Sequence, residues 1–482
     1  MAHALGPALV LLVAGALPQA PRAAAGDPAA LKKSCDKGAA ADCLTLAGLH
    51  ARGEGVAKDV DKASGFYKKA CELNLAPACL ELATVLRTGP KPDVKKAVTL
   101  LAKACEGGVA EGCAELGGLY QSGSGRDVEK HLGNAAQYHE RACNGAIAAS
   151  CGALGAMVLD GVPMPRDPAR AAALLGKACE GGHGPSCGPL AGLLRSGEGG
   201  VAKDPPRAAA LLEKGCAAGQ LPACYDYARA LQQGEGVAKD AKKALELFAK
   251  GCEGGEPRSC HGIGLAHKDG AGAAKDVVRA AGMFKKACDA DVGPGCYELA
   301  LAYYGGRGVK ADLAQAASLL RDACTHGEAR GCLDLGQLFR SGKGFRPDVT
   351  RASELFREAC DKGSIEGCSR LAGMLEVGDA IGRNLPKARE LYQQACDAGV
   401  TRDCYNLARQ YQRAETRNVS QAAKFNRQAC DGGVAPACYE VGVLYETGTT
   451  VPRDPVKALA FFEQACTGKH AGGCEKARRM KR

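Results

Sequence analysis

Cysteine is the residue type whose number and spacing carry the most chemistry in this chain. Its 26 copies fall without remainder into thirteen Cys-x7-Cys pairs. They are Cys35 with Cys43, Cys71 with Cys79, Cys105 with Cys113, Cys143 with Cys151, Cys179 with Cys187, Cys216 with Cys224, Cys252 with Cys260, Cys288 with Cys296, Cys324 with Cys332, Cys360 with Cys368, Cys396 with Cys404, Cys430 with Cys438, and Cys466 with Cys474. Even, regular pairing reads as local disulfides, which persist in oxidising compartments. A structural zinc centre would need four ligands, with paired cysteines about two to four residues apart. A spacing of seven does not fit, and no histidine recurs in register. No metal and no cofactor are expected.

Motifs for catalysis are weaker. Ser34-Cys35-Asp36-Lys37 formally matches the Ser-x-x-Lys of serine β-lactamases, but the accompanying Ser-Asp-Asn and Lys-Thr-Gly are absent. Ser34 also fills a slot that alanine or glycine fills beside the first cysteine of every other pair, which is a packing role. The nine histidines are scattered; His131 and His139 are the only close helical pair, and His139, His50 and His267 occupy apolar register positions. Loops of the form Gly-x-Gly-Val-x-Lys-Asp, as in Gly53 to Asp59 and Gly234 to Asp240, could cradle a phosphate if one stood alone. Recurring through the chain, they read as helix stops and restarts. No catalytic, cofactor-binding or metal-binding residue is assigned.

The formal charge of +10 comes from 63 basic and 53 acidic residues that are interleaved, the pattern of exposed helical faces rather than of a nucleic-acid footprint. Only Lys476, Arg478, Arg479, Lys481 and Arg482 form a concentrated basic patch, with an acidic envelope polymer or an anionic lipid surface as the available partner. Residues 1–25 carry an apolar run, Ala8 to Leu17, followed by Ala23-Ala24-Ala25, which reads as a secretory signal peptide cleaved after Ala25. That run is too short to anchor in a bilayer, so no stable membrane insertion is expected. The expected location is periplasmic or extracellular.

The elements that must hold these cysteines follow from their period. Successive pairs are separated by 34 to 38 residues, the signature of a helical repeat array. In the copy running from Cys224 to Cys260, Cys224, Tyr227, Ala228 and Leu231 mark one helix face, Gly234 stops that helix, and Asp240 caps a second helix bearing Ala244, Leu247, Phe248 and Cys252. Eight residues before the first cysteine stands alanine in all twelve full copies, and four residues after the second cysteine only alanine or glycine occurs. Both positions predict close helix contact. Twelve residues before the first cysteine lies Asp or Asn in eleven copies, the exception being His131, and this is the predicted N-cap of the second helix. The expected organisation is a capping segment over 26–42, one continuous solenoid over 43–466 and a C-terminal capping helix with a basic tail over 467–482. The fold class is therefore all-α: an α/α solenoid of about twelve helix pairs, roughly 110 Å long if pairs stack about 9 to 10 Å apart.

The pattern Cys-x2-Leu-Gly-x-Leu-Tyr, seen at Cys113 to Tyr120 and nearly so at Cys332 to Phe339, resembles the Sel1-like repeat, a relative of the tetratricopeptide repeat. The added Cys-x7-Cys resembles the secreted cysteine-rich branch, the Helicobacter cysteine-rich protein family. The resemblance covers residues 30 to 480. It implies a scaffold that binds a protein or peptide ligand on a concave surface lined by first helices. The alternative it implies is a β-lactam-binding protein or weak β-lactamase.

Overall fold

The computed structural model describes residues 27–90, 92–123, 127–344, 346–379, 381–413 and 417–482. The predicted signal peptide, 1–25, lies outside the described residues. Among those residues there are 26 α-helices and no strand. Most helices are 13 residues long, and they alternate as first and second members of the predicted copies, for example Ala40–Arg52 with Val60–Glu72 and Pro257–Asp269 with Val277–Asp289. A leading helix, Pro28–Asp36, precedes the first copy, and Ala471–Met480 begins a thirteenth first helix. Two compact units are distinguished: residues through Asp226 together with Glu235–Val237, and Tyr227–Gly234 together with Ala238–Arg482.

Each second helix starts where its cap dictates. All twelve predicted N-cap side chains accept a hydrogen bond from an amide of the first turn, as Asp59 does from the Lys62 amide at 2.9 Å. His131 is no exception in function, because its Nδ1 accepts from the Asn134 amide at 3.0 Å. An imidazole nitrogen with a lone pair serves where a carboxylate would. Most first helices end at a left-handed glycine, Gly53 at φ 78° being one case, whereas Gly89 and Arg413 are extended at φ −70° and −66°.

The tightest recurring unit is the turn between copies. Thirteen disulfides join the last turn of one helix to the first turn of the next, with Cα–Cα distances from 4.4 to 5.1 Å. The pairing is the predicted one throughout. In the first unit Cys35 bonds to Cys43, Cys71 to Cys79, Cys105 to Cys113, Cys143 to Cys151, Cys179 to Cys187 and Cys216 to Cys224. In the second, Cys252 bonds to Cys260, Cys288 to Cys296, Cys324 to Cys332, Cys360 to Cys368, Cys396 to Cys404, Cys430 to Cys438 and Cys466 to Cys474.

Backbone and side chains close the same turn. Three residues after the first cysteine the backbone is left-handed in every case; nine of these residues are glycine and the others are Asn74, Ala146, Asp291 and Lys469. The following amide then reaches back across the turn, as Leu75 does to the Ala70 carbonyl at 3.1 Å and Val109 to that of Ala104 at 3.0 Å. This is a Schellman closure of the helix end. Long side chains from the next copy satisfy a further orphan carbonyl: Lys103 Nζ donates to the Cys71 oxygen at 2.8 Å and Lys214 Nζ to that of Cys179 at 2.7 Å. A cation at a helix C-terminus is favoured by the helix dipole.

Burial confirms the predicted contact positions. The recurring alanine, from Ala63 to Ala458, is 2% exposed or less in all twelve copies. The small residue after the second cysteine faces the side chain four before the next first cysteine, and the two sizes compensate. Opposite Gly336 and Gly442 lie the rings of Phe356 and Phe462, so close that an added Cβ would stand 2.8 and 2.7 Å from ring carbons. Within copy five the loop from Gly197 contains a 3-10 turn, Glu198–Gly200.

Gly336→Ala should lower the melting temperature, destabilising by about 1–3 kcal/mol as overpacking does. Gly118→Ala, with nothing within 4 Å of its added Cβ, should instead raise it by about 0.5–1 kcal/mol as in any helix interior. Equal melting curves for both would show that ring and glycine do not touch. By mass spectrometry, the thirteen bridges should make the reduced protein about 26 Da heavier than the native one, which should take up no alkylating agent; several free thiols or stoichiometric zinc would contradict the bridges.

Candidate functional site

First helices present one half-buried face that packs only in part against the core. Counting from the second cysteine of a copy, this face carries positions one, two and eight. At position one stand Leu44, Leu80, Tyr225, His261, Tyr297, Ser369, Tyr405 and Tyr439 among others, all half-buried. Across neighbouring copies position eight meets position two. Arg87 Nη2 lies 3.0 Å from Glu115 Oε2, Lys268 Nζ 2.9 Å from Glu298 Oε2, and Lys476 Nζ 2.7 Å from Glu446 Oε2. Gln412 Nε2 reaches Glu440 Oε2 at 3.5 Å in the same register. Exposed ion pairs contribute at most about 1 kcal/mol each, so this ladder sets surface chemistry more than stability.

Its densest stretch lies in copies seven to nine, on the helices Pro257–Asp269, Gly293–Gly305 and Ala329–Ser341. Tyr297 donates its hydroxyl proton to Asp334 Oδ2 at 2.9 Å, and the Arg330 guanidinium sits 4.4 Å over the Tyr297 ring while pairing with Glu328 at 2.8 Å. Burial raises the Asp334 carboxyl and the Tyr297 hydroxyl above their ordinary pKa values and lowers that of the neighbouring His261 imidazole. Burial likewise raises Glu81 and Glu115 in the first unit, against the nearby Arg52 and Arg87 charges. Such a face offers aromatic rings, hydrogen-bond donors and paired charges over several copies.

The residues singled out from sequence fall as follows. Every cysteine is bridged, so the one grouping with metal-like proximity among the described residues, Cys324, Cys332 and Glu358, has no free thiolate to offer. Ser34 lies half-buried in the last turn of Pro28–Asp36 and Lys37 is that helix's C-cap, with no hydrogen bond between their side chains among the described residues. His139 is a packed core imidazole, 5% exposed, its Nδ1 3.3 Å from Ser150 Oγ and its Nε2 3.1 Å from Gln121 Oε1. Burial pulls its pKa down to about 4. His267 is buried and His50 stacks on Phe66 with centroids 5.7 Å apart. A serine–histidine contact with no sequence motif to announce it, His183 Nδ1 to Ser186 Oγ at 2.8 Å, leaves the serine 2% exposed and out of reach of any substrate. The C-terminal basic cluster is partly neutralised, since Lys476 pairs with Glu446 and Lys481 with Glu463.

Stacked helix pairs of this length, with a varied face on an unvarying frame, define a helical-repeat protein of the tetratricopeptide-like kind. The chain belongs to the Sel1 repeat family, whose profile matches twelve times, over 43–75, 76–109, 110–146, 148–183, 190–220, 221–256, 257–292, 293–328, 329–364, 365–400, 402–434 and 435–470. Among solved structures it is similar to c5321, a protective antigen present in uropathogenic Escherichia coli strains displaying an SLR fold, at 24% identity over 94% of this chain and 90% of that one, with a TM-score of 0.58. It is also similar to a Sel1 repeat protein from Oxalobacter formigenes, at 23% identity over 64% of this chain and 89% of that one, TM-score 0.47. These likenesses concern the fold. None of the curated proteins matches the chain.

The buried imidazole predicts a pH dependence. The folded pKa of His139, about 4, lies below the unfolded value near 6.5. Between those values the unfolded chain binds the extra proton, so stability held above about pH 6.5 should be lost as pH falls toward 4. His139→Phe places opposite Gly117 the ring that Phe356 places opposite Gly336, and should flatten this part of the melting-temperature profile. An unchanged profile in the variant would assign the acid loss to other groups.

Proposed function

We propose that this protein is an exported, disulfide-locked scaffold that binds a protein or peptide partner along the concave face formed by its first helices. The observation that carries the reading is a contrast within the chain. Cap, alanine, cysteine and small-residue positions keep their type in copy after copy, while positions one, two and eight of the first helices change from copy to copy. A frame repeated for stability and a face varied residue by residue is how a repeat array recognises an extended ligand.

Export is supported by the bridges, which need an oxidising compartment, and by the apolar run Ala8 to Leu17 with its small-residue cleavage site. Among the described residues no helix is long and apolar enough to cross a membrane. Binding rather than hydrolysis is favoured because, among the described residues, no base is hydrogen-bonded to the Ser34 hydroxyl, the Ser186 hydroxyl beside His183 is 2% exposed, and the Ser369 hydroxyl donates to the buried Asp403 carboxylate and the Ile365 carbonyl with no imidazole bonded to it.

Affinity capture on the purified, oxidised protein from an envelope or culture fraction, read by mass spectrometry, should return a saturably bound protein. Tyr439→Ala or His261→Ala should weaken that partner several-fold with the melting curve little changed. Saturable nitrocefin hydrolysis by the mature protein, abolished by Ser34→Ala or any other single substitution that leaves the fold intact, would replace this reading with the β-lactam one.

A further inference from the structure

In the first unit one loop contact between copies is an ion pair. Arg166, which precedes the N-cap Asp167, holds Glu198 of the next copy through both guanidinium nitrogens, with Nη2 3.0 Å from Oε2. Thirty-two residues separate the two. At the same register and the same spacing, the second unit has Lys275, which precedes the N-cap Asp276, and Arg307. The acid has become a second cation. Both are exposed, and neither side chain has a hydrogen bond or ion pair among the described residues.

These two cations stand in the wall of one open groove of about 310 Å3 between the helices Pro257–Asp269, Val277–Asp289 and Gly293–Gly305. Its floor is apolar: Val277, Ala281, Phe284, Leu301 and Ala302. Large hydrophobic side chains are unusually exposed here, with Val277 at 36%, Leu301 at 37% and, in the same helices, Val278 at 65% and Tyr304 at 40%. Two acids also line the groove, but Glu298 is occupied by Lys268 at 2.9 Å, which leaves Asp269 against Lys275 and Arg307. The Asp276 carboxylate beside Lys275 is engaged by the Val278 and Arg279 amides at 3.1 and 2.9 Å. Two cations lining a groove whose apolar floor is exposed at Val277 and Leu301 call for an anion that also carries hydrocarbon.

We propose that this groove is a docking subsite for an extended polypeptide segment in which an aliphatic side chain is flanked by acidic ones. The aliphatic group covers Val277 and Leu301, and a neighbouring carboxylate bridges Lys275 and Arg307. The volume is at the lower end for ligand pockets, right for a side chain or two rather than for a folded element. This assignment rests on the protein-binding reading above and gives it a place and a ligand class.

The test uses the full mature, oxidised protein and three fluorescein-labelled octapeptides followed by anisotropy: Gly-Ser-Leu-Asp-Leu-Glu-Ser-Gly, the same peptide with lysine for both acids, and the same with serine for both leucines. Only the first should bind saturably. Arg307→Glu recreates the Arg166–Glu198 arrangement and so should fold as the parent does, while weakening that peptide by about tenfold and removing most of the salt dependence. Leu301→Ser should weaken it as well at an unchanged melting temperature. Equal binding of the first peptide to Arg307→Glu and parent, or binding of the lysine peptide to the parent, would overturn the assignment. So would a parent that ignores all three peptides and instead binds phosphatidylglycerol vesicles through Arg307. A captured partner that binds parent, Arg307→Glu and Leu301→Ser alike would remove the subsite and leave the scaffold reading standing; failure to capture any partner, with the peptide result intact, would do the reverse.

Discussion

The closed turn between copies is the constraint on which the rest of the architecture depends. A disulfide between the last turn of one helix and the first turn of the next holds their Cα atoms no more than 5.1 Å apart, and nothing large fits beside it. That is why alanine or glycine precedes the first cysteine in twelve of thirteen pairs, and why glycines such as Gly112, Gly295 and Gly367 precede the second. Their Cβ positions would lie 3.0 Å or less from the methyl groups of Ala104, Ala287 and Ala359. The loop-entropy model gives roughly 2 to 3 kcal/mol per bridge for so short a loop. In a chain without tryptophan and with 5% aromatic residues, where small side chains bury little area each, a contribution of that size at every turn offsets the modest core.

The same turn transmits register. Once two helices are pinned at one end, their faces can slide only if the residues further along allow it, and the buried alanine of each second helix and the small residue of each first helix do not. Five copies have glycine at the latter position, and Phe284, Phe356 and Phe462 each face one of those glycines. A ring on one helix and a missing Cβ on the other conserve volume at a fixed backbone separation, which is how a close-packed interior tolerates change. Copies that depart from this rule show its reach: Asn426 occupies the ring position, is 1% exposed, and leaves its Oδ1 without a partner among the described residues.

Features that depend on one copy at a time are legible in the sequence. The cysteine pairs, the N-caps, the helix-ending glycines and the alanine register follow from residue types at fixed offsets, and His131 escapes the cap pattern only because that pattern specifies a carboxylate or amide rather than any lone pair. Features that depend on two copies at once are not legible. The bond from Lys103 to the Cys71 carbonyl and the pairs Arg87–Glu115 and Lys268–Glu298 join residues about one repeat apart. Nothing local distinguishes them from solvated charges. Their signal is an opposite or complementary pair at a constant offset between neighbouring copies, which can be read only after the face has been identified. His139 shows a different limit. Its apolar register announces burial, but its anchoring to Ser150 and Gln121 depends on how three helices converge.

The division between frame and face also explains why a chain with so many reactive-looking residues shows no converging catalytic group among the described ones. Catalysis needs several side chains aimed at one point and supported from behind. Here the positions that point inward are committed, copy after copy, to methyl groups, rings and sulfurs bonded to one another, while the positions that point outward lie on neighbouring helices about 10 Å apart. Side chains on neighbouring copies reach one another in pairs, as Tyr297 reaches Asp334 at 2.9 Å, and the interval between the helices matches about three residues of an extended chain. On the proposed binding reading, successive copies would address successive stretches of a polypeptide. On the same reading, specificity is set by exposed charges such as that of Arg307.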